Sequence, residues 1–194
     1  MTGCAELVAQ RQVRAFDRPR RIAVAPFTPS SLLSKRAAEA GSEAWEAAAL
    51  VTRFVAEALE ERDVEVIPEN DLLLAFEGQG QVIPRQSPGL LAERAHAEFG
   101  AEAVLLGEVR RYRERTGSAY GSLAPASVEF EVTLYSAPRG EALWVARFDQ
   151  TQATFTENPF TAARYPSGGT RFLTVAELAR WGAGLVAAEL PIGR

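Results

Sequence analysis

The chain has 194 residues, 47% of them hydrophobic and 24% charged, which is ordinary for one soluble domain with a substantial core. Its net charge of −4 argues against a general nucleic-acid binder, and no apolar run approaches the roughly 18–20 residues that a membrane-crossing helix needs. One Cys and one His leave no internal disulfide and no Cys/His metal cluster, so no cofactor is expected.

The first four residues, Met1-Thr2-Gly3-Cys4, resemble the end of a bacterial lipobox: Leu, a small residue, Gly or Ala, then Cys. Met1 stands where the Leu belongs, and a leucine codon used as a start is read as Met. Cys4 is therefore a candidate lipidation site, with the signal peptide expected upstream. If Met1 is the true start, the chain is cytoplasmic and Cys4 is an exposed thiol. Residues 5–20 have few apolar positions and no clear period, so residues 1–20 read as a tether.

Residues 21–27 (RIAVAPF) read as a short strand stopped by Pro26, followed by a loop over 28–41 in which residues 32–40 are open to being partly helical. Residues 42–62 give the clearest helix. Ser42 is the expected N-cap, Glu43 and Glu46 favour the first turn, and Trp45, Ala48, Val51, Thr52, Val55, Ala58 and Leu59 form an apolar stripe. Trp45 on that stripe reads as core rather than as part of a ligand pocket. Residues 64–67 form a second strand ended by Pro68, and a short helix runs to Phe76. Residues 78–88 form a polar loop whose Gly-Gln-Gly lacks the spacing and the Lys-Ser or Lys-Thr of a phosphate cradle. Residues 89–99 are helical, with Leu90, Leu91, Ala95 and Phe99 as packing residues. His96 takes a surface position there, with no nucleophile or orienting carboxylate near it in sequence.

Residues 101–112 (AEAVLLGEVRRY) begin apolar on both faces and end charged, as a buried strand does when it emerges toward solvent. Strands expected before and after it make it the middle of one sheet. Residues 116–126 read as a loop. Residues 127–135 alternate strictly, with Val128, Phe130, Val132 and Leu134 against Glu129, Glu131, Thr133 and Tyr135. A turn at Pro138-Arg139-Gly140 leads to a returning strand over 142–151. The arginines that close the central strand are expected to pair with Glu129 and Glu131 across strands. Residues 155–170 form an aromatic loop, in which Phe155, Phe160 and Tyr165 either pin the loop or present anchors to a partner. Residues 171–190 are the last helix, with Phe172, Val175, Leu178, Leu185 and Val186 on one side, and Gly182 and Gly184 allowing close approach to the sheet.

No catalytic motif occurs, and the Asp residues lie scattered at element ends, so an enzyme is not expected. The expected fold is α/β: a three-layer single domain over residues 21–194, with a mixed sheet of about five strands, a C-terminal antiparallel hairpin and helices packed on it.

Residues 99–109 (FGAEAVLLGEV) resemble the "GADYVLLGSV" pattern of bacterial envelope proteins related to the curli secretion lipoprotein CsgG, the penicillin-binding-protein activator LpoB and the N-terminal domain of TolB. Residues 140–146 (GEALWVA) are similar to the "tGevlWsa" strand of the same group. The resemblance covers roughly residues 21–190 and implies the fold above, no catalytic residues, and for many members a lipidated Cys. It implies a periplasm-facing outer-membrane lipoprotein that acts by protein–protein contact in envelope assembly or secretion, and Ala5 after Cys4 suits outer-membrane sorting. The alternatives are a subunit of an oligomeric export channel, or a small-molecule binding module or cryptic enzyme with a cleft near His96 or the aromatic loop.

Overall fold

A computed structural model describes residues 7–37, 43–62, 64–77, 87–153 and 163–192. The central element is β5 (Ala103–Arg113), the strand expected at the middle of the sheet. It pairs in parallel with β2 (Arg21–Val24) on one side and antiparallel with β8 (Ser127–Ser136) on the other. Beyond β2 lies β4 (Glu65–Ile67), also parallel. Beyond β8 come β9 (Ala142–Thr151) and then β1 (Val8–Gln12), both antiparallel to their neighbours. A two-residue strand, β3 (Thr28–Pro29), continues along β5 at Glu108 and Val109, making seven strands in the mixed sheet.

Two helices cover one face, α2 (Glu43–Glu60) and α5 (Val175–Glu189). The large core lies between them and Ile22, Val24, Leu105, Phe130, Trp144 and Phe148. The other face is covered over β2, β4 and the start of β5 by α3 (Glu69–Glu77) and α4 (Pro88–Phe99), around Leu72, Phe76, Leu91 and Val104. A short α1 (Ser31–Ala37) precedes α2. The three-layer α/β fold read from the sequence is the one observed.

Local chemistry explains the joints. Pro26 cannot donate to a ladder, and the next amide, Phe27 N, instead donates to Thr52 Oγ1 at 3.0 Å. The Thr52 hydroxyl donates in turn to Ala48 O at 2.8 Å, so this buried polar residue is satisfied. Gly107 gives Phe27 its place, because a Cβ there would stand 2.4 Å from the ring. Ser87 caps α4, and Gly100 closes it at φ 66°, in the left-handed region. Thr174 and Glu177 form a capping box on α5.

Three expectations are corrected. Val8–Gln12 is a strand rather than free tether. As an edge strand it buries only Val8, and Gln10 meets the core by accepting a hydrogen bond from Trp144 Nε1 at 3.0 Å, so no apolar alternation marks it. Trp45 is 51% exposed, and Ala44, Ala47, Val51 and Phe54 hold the buried stripe beside Ala48 and Val55. Residues expected as loop after the central strand form a small hairpin, β6 (Thr116–Gly117) and β7 (Ser122–Ala124). The expected cap Ser42 and most of the polar loop over 78–88 lie outside the described residues.

Candidate interaction surfaces

Strand alternation turns Glu129 and Glu131 of β8 away from α2 and α5, and the same holds for Glu108 and Arg111 of β5 and Arg147 and Asp149 of β9. Helix α4 reaches only the lower part of this face. The charges above it form a ladder of pairs. Arg110, at a bulge in β5, bonds Glu108 through Nε at 2.9 Å and Glu131 through Nη2 at 3.2 Å. The hydrogen bond to Glu108, against the opposing cost of burial and helped by the charges of Glu131, Glu108 and Glu129, holds its guanidinium above the ordinary arginine range. Glu129, with its side chain only 12% exposed, takes Arg111 at 3.0 Å and Arg147 at 2.7 Å, and both arginines also meet Asp149. The cross-strand pairing expected for the arginines forms at Arg110, with Glu131, and at Arg111, with Glu129. With Thr133 and Val145, the result is a sheet face of paired charges, four carboxylates against three arginines, that no reacting group dominates.

A second surface lies at the end where β5 finishes. A groove of about 500 Å³ runs between Leu33 of α1, Ala44, Ala47 and Leu50 of α2, Tyr112 of β5 and Val175 of α5. Burial, with Glu114 adding to it, pushes the Tyr112 hydroxyl up to about 12, so it stays a neutral donor. The β6–β7 hairpin projects from the same end. Its turn is tied from within: Ser118 Oγ accepts from Gly121 N at 3.1 Å, and Ser122 Oγ donates to Ala124 O at 2.7 Å. Gly117 at φ 109° permits the bend. The hairpin is held to the domain by Phe172 N donating to Ala119 O at 2.7 Å. Tyr120 and Leu123 are left 85% and 90% exposed. The sequence reading missed both; the Ser and Gly residues around them are the turn signal that locates this hairpin.

At the opposite end, a depression of about 640 Å³ is lined by Arg18, Arg20, His96, Glu102, Ser136 and Arg139, among others. His96 is exposed on α4, as expected, and its Nδ1 lies 2.8 Å from Ala101 O, a carbonyl that can only accept. The ring therefore donates from Nδ1 to the backbone and is not oriented by a carboxylate.

Tyr165 is buried, with its ring 4.9 Å from that of Trp181 and its hydroxyl 3.5 Å from Thr151 O. Of the two roles open to it, it takes the pinning one. Burial accordingly raises its phenol above the ordinary range, opposed by the Ala153 amide. Gln152 fixes the same region, donating to Arg171 O at 2.8 Å and accepting from Leu173 N at 2.7 Å. Cys4, Phe155 and Phe160 lie outside the described residues. Among the described residues no group of three or more metal-ligating side chains converges, and no helix is long and apolar enough to cross a membrane.

No protein-family model matches the chain, and no curated protein matches it by sequence. Solved structures do match its fold. A PelC dodecamer from Paraburkholderia phytofirmans aligns over 96% of this chain and 98% of its own at 18% identity, with a TM-score of 0.57. Lipoprotein GNA1162 from Neisseria meningitidis aligns over 70% of this chain and 82% of its own at 20% identity, with a TM-score of 0.43. The LpoB C-terminal domain from Escherichia coli aligns over 72% and 88% at 17% identity, with a TM-score of 0.40. At these identities the first is a likeness of fold, and the scores of the other two are too low to support an argument.

Proposed function

We propose that this chain is a lipoprotein of the bacterial outer membrane, anchored at Cys4 and facing the periplasm, and kin to the CsgG, LpoB and TolB group. It acts without catalysis, by protein–protein contact in envelope assembly or secretion. The observation that carries this reading is the open face of β5, β8 and β9. Its charged groups are paired with one another in an array across three strands, which suits recognition by another surface. A catalytic site needs instead a poised acid, base or nucleophile above a cavity. Phe155 and Phe160 remain candidate anchors for the partner. Arrangement as one subunit of an oligomer is the second reading, favoured by the whole-chain likeness to a protein crystallised as a dodecamer.

A photo-crosslinking residue at Val145, on the open face, tests the contact in living cells, with the same residue at Glu93 on the outside of α4 as control. The reading expects a discrete envelope-protein or self-crosslinked product from position 145 and little from position 93. Equal or absent products at the two positions would remove the open face from the account. Size-exclusion chromatography with light scattering separates the two readings, because a ring gives one species at a multiple of the 21.0 kDa chain.

A further inference from the structure

The sheet register fixes where the chain enters the domain. In β1, Val8 pairs with Phe148, which pairs with Phe130, which pairs with Val109 near the end of β5. Gln12, four residues on, pairs with Trp144 and through it with Leu134 and Leu105. Strand β1 therefore runs down from the end where β5 finishes, and the described chain begins at that end. Leu7 itself is buried. Cys4 is three residues earlier, so its backbone stays within about 11 Å of Leu7 in any conformation.

The same end carries an unusual surface. Seven large hydrophobic side chains are exposed among the described residues, and four of them are here: Leu32 (69%), Trp45 (51%), Tyr120 (85%) and Leu123 (90%). They come from three elements. Leu32 and Trp45 flank the groove residues Leu33 and Ala44, while Tyr120 and Leu123 stand on the hairpin that continues β5 and β8. Nothing in the fold requires this exposure, since the hairpin's hydrogen bonds are made by Ser118, Ser122 and the backbone. Charges of both signs ring the groove, Glu43, Glu46 and Glu114 with Arg113, so the surface is not selective for anionic headgroups.

We propose that in the anchored protein this end of the domain lies against the bilayer, with Leu32, Trp45, Tyr120 and Leu123 in the headgroup–acyl boundary beside the lipid on Cys4. The inference rests on the lipidation of Cys4. A short tether brings the surface to the membrane at high effective concentration, and a tyrosine and a tryptophan among aliphatic side chains suit the polar–apolar boundary. The contact supplements acyl chains that would otherwise leave the domain free to swing. It also stands the sheet on its end, so that the open charged face looks sideways along the membrane.

Because Cys4 is the only cysteine, a maleimide lipid couples the purified full chain to vesicles at that position alone. Anchoring is then imposed chemically, and a negative result bears on this contact and not on whether the cell lipidates Cys4. The vesicles are neutral phosphatidylcholine, with and without brominated acyl chains. Trp45 is the exposed tryptophan, whereas Trp144 is buried and Trp181 half-buried. The coupled protein should show blue-shifted emission and strong quenching by brominated lipid, unchanged at high salt. Trp45→Phe should abolish most of that quenching, and Tyr120→Ser with Leu123→Ser should reduce it while leaving the urea midpoint in place. Emission still open to aqueous iodide and untouched by brominated lipid overturns the proposal. So does a Trp45 already shielded in vesicle-free solution in proportion to self-association, because the surface is then an interface between copies.

Discussion

Two glycines in α5, two positions apart, respond oppositely to the same substitution. A Cβ on Gly182 would stand 2.6, 2.6 and 2.8 Å from three atoms of the Phe148 ring, so the ring has to retreat by most of an ångström. It has nowhere to go. Phe148 is fully buried, with the Phe130 ring 5.5 Å away on one side and the edge of Trp181 at 5.9 Å on another. Overpacking of this kind costs about 1–3 kcal/mol, and the gain in helix propensity from Gly to Ala returns about 1 kcal/mol. Gly182→Ala should therefore destabilise by up to about 2 kcal/mol, about 1 kcal/mol at the middle of the range. Gly184 is exposed, and a Cβ there meets nothing within 4 Å, so Gly184→Ala keeps only the propensity gain and should stabilise by about 0.5–1 kcal/mol. With a urea m-value of about 2 kcal/mol/M, the two midpoints should separate by about 1 M on opposite sides of the parent. If both alanines stabilise alike, α5 does not lie on Phe148 as described.

The remaining predictions concern single sites. The Arg171 hydrogen bonds, helped by the Thr174 amide and opposed by burial, lower the Glu177 carboxyl from 4.5 to about 2. Its contribution is thus complete above pH 4.5 and lost as pH falls toward 2. Because the side chain is 39% exposed, screening limits it to about 1 kcal/mol, and the gap between parent and Glu177→Gln in urea melts should close over that window. Glu129→Ala leaves Arg111 and Arg147 with Asp149 as their shared carboxylate and should cost about 1–2 kcal/mol, read by thermal unfolding, with part of the loss recovered in high salt. Ser87→Ala removes the side-chain acceptor for Leu90 N and should cost about 1 kcal/mol, whereas Trp45→Ala, at an exposed position, should leave the melting temperature nearly unchanged.

What the sequence discloses depends on whether a residue's surroundings are close to it in the chain. Strands β5, β8 and β9 and helices α2, α4 and α5 are legible because each buries a periodic face, and the arginine–glutamate ladder follows once β5 and β8 are aligned. Strand β1 is not legible, since an edge strand with one buried side chain has no period to show. Trp45 misleads for a related reason. It sits in the first turn of α2, where Ala44, Ala47 and Ala48 take the core side, and only the fold shows that the tryptophan faces out. The exposure of Tyr120 and Leu123 is invisible in a segment that reads simply as a polar loop. The closure of Phe27 onto Gly107 also depends on two segments about 80 residues apart.

The central claim, a lipid-anchored protein working at the envelope, is tested most directly by the mass of the mature N-terminus. The gene is expressed with its own upstream DNA and the chain recovered from the membrane fraction. The account predicts a chain beginning at Cys4 and heavier by a glyceryl group and acyl chains. An unmodified chain beginning at Met1 in the soluble fraction would contradict it.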